Sequence, residues 1–314
     1  MSPAATPRSL ASSALIACAL SSSLACAIEL PPPPQDPKLA QTFAQAQELL
    51  TRASASGYMD LPAQQQAWPC AIDEVQLRRL VGAVSSAELD ARGRRSQRLM
   101  YAGVGMRDSE MQTTISDVRL VPLAAQCKDG KLDGPLEFML QSTRTMDMPT
   151  ASTEIRSRVR FQGVMAGGER VPTAPIHVAT WTYGMATTFK DAATRKLMEN
   201  VKTPQVLTLS ANTSLPQDAD AAWSATIIET RTGASQREWM TLFTQPTGAR
   251  RNEMTNYRGA ALWMRQSMKN GLQHGVVQTF PFQVGAGAAA VTVPGSLKCY
   301  EDGEEIKTTQ CTVD

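Results

Sequence analysis

The sequence predicts a mainly β, α+β protein: an antiparallel sheet, sandwich or curved β-ribbon preceded by one or two helices. Three observations carry this. From about residue 99 onward apolar side chains recur at every second position in short runs, the period of half-buried strands. Residues that favour turns separate those runs, at Gly167-Gly168, Gly184, Asn212, Thr232-Gly233 and Pro246 to Gly248. The pattern Lys-(Asn/Asp)-Gly-x-x-x-Gly also occurs twice, at Lys128 to Gly134 and Lys269 to Gly275, each time ahead of an alternating segment. Asn-Gly and Asp-Gly supply the positive φ values of a tight hairpin, and the second glycine lets the next strand bend or bulge as it begins.

Residues 1–27 read as a secretory signal. Arg8 precedes a mildly apolar run from Leu10 to Ala25, and Ala25-Cys26-Ala27 has the small-x-small form of a cleavage site. The run is too short to cross a bilayer, which takes roughly 20 residues. Lipidation is the second reading of the same segment. Leu15-Ile16-Ala17-Cys18 resembles a lipobox, as does Ser23-Leu24-Ala25-Cys26, so Cys18 or Cys26 could carry a lipid anchor to the outer membrane. Cleavage after Ala27 or lipidation at Cys26 leaves four cysteines, Cys70, Cys127, Cys299 and Cys311. An even set in an exported chain implies two disulfides. Cys70 with Cys127 and Cys299 with Cys311 is the favoured pairing, because Asp302-Gly303 places a turn between the last two.

Pro31 to Pro34 makes residues 28–35 a stiff linker. An N-terminal helical segment occupies 36–98. Asp36 caps its first helix, Pro37 suits the first turn, and Leu39, Phe43, Ala46, Leu49 and Leu50 form the apolar stripe up to Gly57. A second helix is expected from Asp73 to Val84. The basic cluster Arg92, Arg94, Arg95 and Arg98 alternates with acids and has no aromatic neighbour to stack a base, so it reads as a solvated face.

Residues 99–314 form the β domain. Glu154 to Phe161 is its clearest strand, with Ile155, Val159 and Phe161 on one face and Glu154, Arg156, Arg158 and Arg160 on a wet one. Further strands are expected at Thr114–Leu123, Leu136–Thr145, Ile176–Tyr183, Gln205–Ser210, Trp223–Thr230, Glu238–Phe243, Val276–Val284 and Ala289–Val293. A helix at Asp191–Val201, with Ala192, Leu197 and Met198 inward, interrupts them.

Chemistry is sparse. The chain has two histidines, His177 in a strand and His274 in a turn, with no metal-ligand spacing, no nucleophile elbow and no Cys-x-x-Cys. No metal or cofactor is expected. With 31 basic and 29 acidic residues, charge gives no case for nucleic acid. Glu137, Glu154, Glu229 and Glu238 are strand acids that could serve a glycosidase pair. Two groups are the candidate binding residues: His177, Trp181 and Tyr183, which share a strand face, and the row Arg156, Arg158 and Arg160. The aromatic row could stack on a sugar, grip a peptide or fill a core, and the arginines could hold an anion.

Tyr257-Arg258-Gly259 lies upstream of Asn270-Gly271-Leu272-Gln273-His274-Gly275, Tyr101-Ala102-Gly103 lies upstream of Asp129 to Gly134, and Tyr300-Glu301-Asp302-Gly303 echoes the turn. This pairing resembles the MORN-type repeat, a short β-hairpin unit that stacks into a ribbon. The resemblance implies a binding or scaffolding ribbon, without catalysis of its own. The spacings here are longer than the repeat's and no regular period runs through the chain. Tight turns in an ordinary antiparallel fold would give the same local structure. The expected function is therefore that of an exported bacterial envelope protein, periplasmic or lipid-anchored, binding an envelope protein or glycan. An envelope hydrolase with a dispersed acid site and an inhibitor or immunity-type protein are the alternatives.

Overall fold

The architecture is a long antiparallel meander with one helix laid across its middle. The computed structural model describes residues 30–64, 66–72, 76, 80, 112–198, 206–217, 221–233, 236–284 and 291–307. Helix α1 spans Pro37–Ser54. The strands that follow are β1 (Gln112–Ala124), β2 (Cys127–Lys128), β3 (Lys131–Leu132), β4 (Gly134–Asp147), β5 (Ala151–Ala166), β6 (Glu169–Arg170) and β7 (Ile176–Phe189). After the short helix α2 (Ala192–Met198) come β8 (Val206–Pro216), β9 (Ala222–Thr232), β10 (Gln236–Gly248), β11 (Arg251–Arg258), β12 (Ala261–Lys269) and β13 (Leu272–Thr279). The chain ends with β14 (Phe282–Val284), β15 (Val291–Val293), β16 (Ser296–Glu301) and β17 (Glu304–Ile306).

One 13-stranded sheet runs in the order β1-β4-β5-β7-β8-β9-β10-β11-β12-β13-β16-β17, with β6 hydrogen-bonded beside β5. It is not a closed barrel. From β7 to β13 every neighbour in the sheet is also the next strand in sequence, so the chain there folds back on itself hairpin after hairpin.

The repeated turns do what their sequences require. Asp129 and Gly130 (φ 52° and 75°) turn β2 into β3, Asn270 and Gly271 (52° and 74°) turn β12 into β13, and Asp302 and Gly303 (47° and 88°) turn β16 into β17. The two longer copies share the turn but not its setting, since β2 and β3 form a separate two-stranded ribbon whereas β12 and β13 lie within the main sheet.

Cross-strand partners in register share a face of the sheet. On the first face Arg160, Ala179, Ala211, Ile227 and Thr241 form one row across β5 to β10. Helix α1 packs here. Asp36 accepts from the amides of Lys38 and Leu39, Pro37 opens the helix, and Leu39, Phe43, Ala46, Leu49 and Leu50 are all buried. Phe43 meets Phe243 edge-to-face at 5.0 Å, an aromatic pair worth about 1 kcal/mol beyond the area it buries. The second face carries its own core at the other end of the sheet, where Phe138, Leu140, Val159 and Phe161 are covered by Leu132, Trp68 and Cys70. The Cys70–Cys127 disulfide ties the segment around Trp68 to the β2–β3 ribbon, and both pack on that core. Cys299 is buried and disulfide-bonded, and Cys311 lies outside the described residues.

Several expectations need correction. The arginine-bearing face of β5 is wet only at its start: Arg156 and Glu154 are exposed, but the side chains of Arg158 and Arg160 are only 22% and 20% exposed, because the chain leaving α1 lies across them. Gly184 pairs with Arg156 inside β7, next to the bulge at Tyr183, and Asn212 lies inside β8, donating to Ser224 and Thr226, so neither is a turn. Pro281 breaks the strand expected at Val276–Val284 into β13 and β14, since it has no amide to give a ladder. Strands β11, β12 and β16 were not foreseen. Ala192 is exposed rather than inward, and the side chains of Leu197 and Met198 lie outside the described residues. Residues 1–27 with Cys18 and Cys26, the arginines at 92–98 and Tyr101 also lie outside them. Of the helix expected at Asp73–Val84, Gln76 and Leu80 are described and are helical.

Candidate binding cleft at the end of helix α1

Helix α1 stops at Ser54, and the chain turns twice to reach Asp60. Ala55 caps the helix by donating to the Arg52 carbonyl, Tyr58 N–H donates to Ala55 O at 3.3 Å, and Asp60 N–H donates to Gly57 O at 3.1 Å. Gly57 adopts φ +85° with open space around its Cα, so backbone conformation and not crowding requires glycine there.

Two arginines of β5 hold this turn against the sheet. Arg160 donates from Nε to Glu137 Oε1 at 2.6 Å and from Nη1 to the Tyr58 carbonyl at 2.8 Å, while its guanidinium lies 3.9 Å from the Tyr58 ring centroid. Arg158 donates to Asp60 Oδ1 at 2.8 Å and to the Met59 carbonyl at 3.3 Å. Burial raises the Tyr58 phenol's pKa above its ordinary value, against the opposing pull of Arg160 and Arg52.

A cleft of about 290 Å³ opens between the turn and the first face of β7 to β9. Its floor is Trp181, Leu207 and Leu209, its wall is Ala53, Gly57 and Met59, and Asp60 and Arg231 stand at its edge. That volume sits at the small end of ligand clefts, which run from about 300 Å³ upward. Beside it lies a buried carboxylate. Glu229 is 2% exposed, accepts from Arg231 Nε at 2.7 Å and Nη2 at 2.8 Å, and has Arg237 Nε at 3.6 Å.

The candidate residues read from the sequence divide accordingly. His177, Trp181, Tyr183, Arg158 and Arg160 share the first face. Trp181 and Tyr183 are 5.2 Å apart, and the Arg158 guanidinium lies 5.5 Å and 5.2 Å from their rings. Trp181 alone of them lines the cleft. His177 contacts Thr213 Oγ1 through Nδ1 at 3.1 Å, and burial, aided by Arg52, lowers its pKa. Arg156, further along the same face, is exposed and pairs with Glu154 at 2.8 Å.

The strand acids are engaged in pairs: Glu137 with Arg160 and Gln162, Glu154 with Arg156, Glu229 with its two arginines, and Glu238 with Gln236. His274 Nδ1 lies 3.6 Å from Asp302. Among the described residues no group of three or more His, Cys, Asp or Glu is placed to hold a metal. Sequence reading missed Glu229, Arg231 and Arg237 as a unit. Their signal was present, since Thr232-Gly233 is a hairpin turn and places Arg231 and Arg237 opposite one another across it.

Comparison of the chain with protein-family models, with curated proteins and with solved structures finds no match.

Proposed function

We propose that the protein is an exported, non-catalytic binding module of a bacterial cell envelope, and that the cleft at the end of α1 is its binding site. One observation carries this reading: an apolar cleft with an aromatic floor, walled by a turn that paired arginines hold rigidly to the sheet. Burial of a ligand against Trp181, Leu207 and Leu209 supplies affinity, and a wall fixed in advance avoids the entropic cost of ordering a loop on binding. The hydrogen bonds that Glu137 and Glu229 make to arginine favour a structural over a glycosidase role, because these oxygens are already engaged within the sheet. The cysteine pattern and the apolar leader favour export, to the periplasm or to a lipid anchor on the outer membrane. Successive hairpins with Gly-containing corners suit the scaffold role that the MORN-type resemblance implies.

Native mass spectrometry of the protein isolated from the envelope fraction tests this. The expected result is a bound small molecule on the natural protein that is absent from Leu207→Trp, which fills the cleft. Retention of the molecule by that variant overturns the site. Recovery of the protein from the cytoplasm with free thiols overturns export.

A further inference from the structure

Resting on that reading of the cleft, we infer that its ligand is a small amphiphile with a single anionic head, the head held by Arg237 together with Arg231 and the apolar body lying on Trp181, Leu207 and Leu209. Register sets this up. Leu207, Arg231 and Arg237 form one cross-strand row, and Trp181, Leu209, Glu229 and Trp239 form the next. Two arginines directly opposite repel, and among the described residues Glu229 is the carboxylate paired with both. Arg231 commits its Nε and Nη2 to that carboxylate in a two-bond fork. Arg237 contacts the same group only at 3.6 Å, makes no hydrogen bond among the described residues, and is 61% exposed.

Two cations on one anion leave a surplus positive charge, carried by a largely exposed guanidinium one strand beyond Arg231, which lines the cleft. Planar guanidinium donors suit a carboxylate or phosphate oxygen pair. At the other end the final carbonyls of α1 carry the negative end of the helix dipole, which repels an anion. The two fields together orient the ligand, with its head toward β9 and β10 and its tail toward α1. Asp60 does not oppose this, because Arg158 already neutralises it.

Titration calorimetry with three ligands of equal chain length separates the possibilities: decanoate, decanol and decyltrimethylammonium, each below its micelle concentration. The expected order is decanoate at least tenfold tighter than decanol, with the cation weakest. Decyl phosphate is expected to behave as decanoate does, and inorganic phosphate or acetate alone to bind at least a hundredfold more weakly. Arg237→Gln should weaken decanoate at least fivefold and leave decanol unchanged, while Arg265→Gln, elsewhere on the sheet, should alter neither. Equal binding of decanoate and decanol, or an unaffected Arg237→Gln, overturns the anionic head and leaves the cleft standing. Failure of every amphiphile to bind the folded protein overturns both.

Discussion

Replacing Arg160 with methionine tests how the cleft's wall is held. The substitution keeps an apolar stem over the sheet but removes three interactions. The ion-paired hydrogen bond to Glu137 at 2.6 Å is worth about 1.5–3 kcal/mol, and the guanidinium over the Tyr58 ring at 3.9 Å adds about 0.5–2 kcal/mol. The bond to the Tyr58 carbonyl at 2.8 Å adds roughly 1 kcal/mol. Against these stands rehydration of Glu137, whose side chain is 21% exposed, so the expected net loss is about 3 kcal/mol. Urea denaturation of the natural protein, Arg160→Met, Glu137→Met and the double variant measures it as a cycle. The double variant is expected to be at least 1 kcal/mol more stable than the sum of the single losses requires, because neither charge is then left unpaired. Additivity within about 0.5 kcal/mol would refute the argument, since contact residues sharing a network should couple.

Three other outcomes follow from the same structure. Thr241 is fully buried beneath α1 with its hydroxyl unpartnered, so Thr241→Val should raise stability by about 1 kcal/mol in urea melts; a loss would mean that the hydroxyl is bonded. His177 binds its proton less readily folded than unfolded, so its contribution is intact above its ordinary pKa of 6.5 and is lost as pH falls below that value. Melting temperature between pH 5 and 7 should therefore fall less steeply with acidification in His177→Asn. The Cys70–Cys127 bridge closes a separation of 57 residues, and replacing both cysteines with serine should cost about 4 kcal/mol by the chain-entropy relation; retention of full stability would show that the cover on the second face is held by packing alone.

Much of the fold was legible because local chemistry decides it. Asp36, Pro37 and the Leu39-to-Leu50 stripe specify α1 without outside help, and each Asn-Gly or Asp-Gly corner specifies its hairpin. Strands β11 and β12 escaped because neither face is cleanly apolar. One face alternates Asn252, Met254, Asn256 and Arg258 with Met264, Gln266 and Met268, and the other carries Arg251, Glu253, Arg265 and Lys269. The arginine row was located correctly, yet its environment was not. Period two tells which residues share a face, but whether that face is wet depends on Tyr58 to Asp60, about a hundred residues away in sequence. The cleft was invisible for the same reason, since it lies between that turn and strands β7 to β9.

Hydrogen exchange with and without decanoate tests the central claim most directly, because it reports on every backbone amide without presuming a site. Slowed exchange at residues 53–60 and in the facing stretches 207–209 and 229–231, with no change in β11 to β13, is the result this account requires. Protection confined to other strands, or none at saturating ligand, would contradict it.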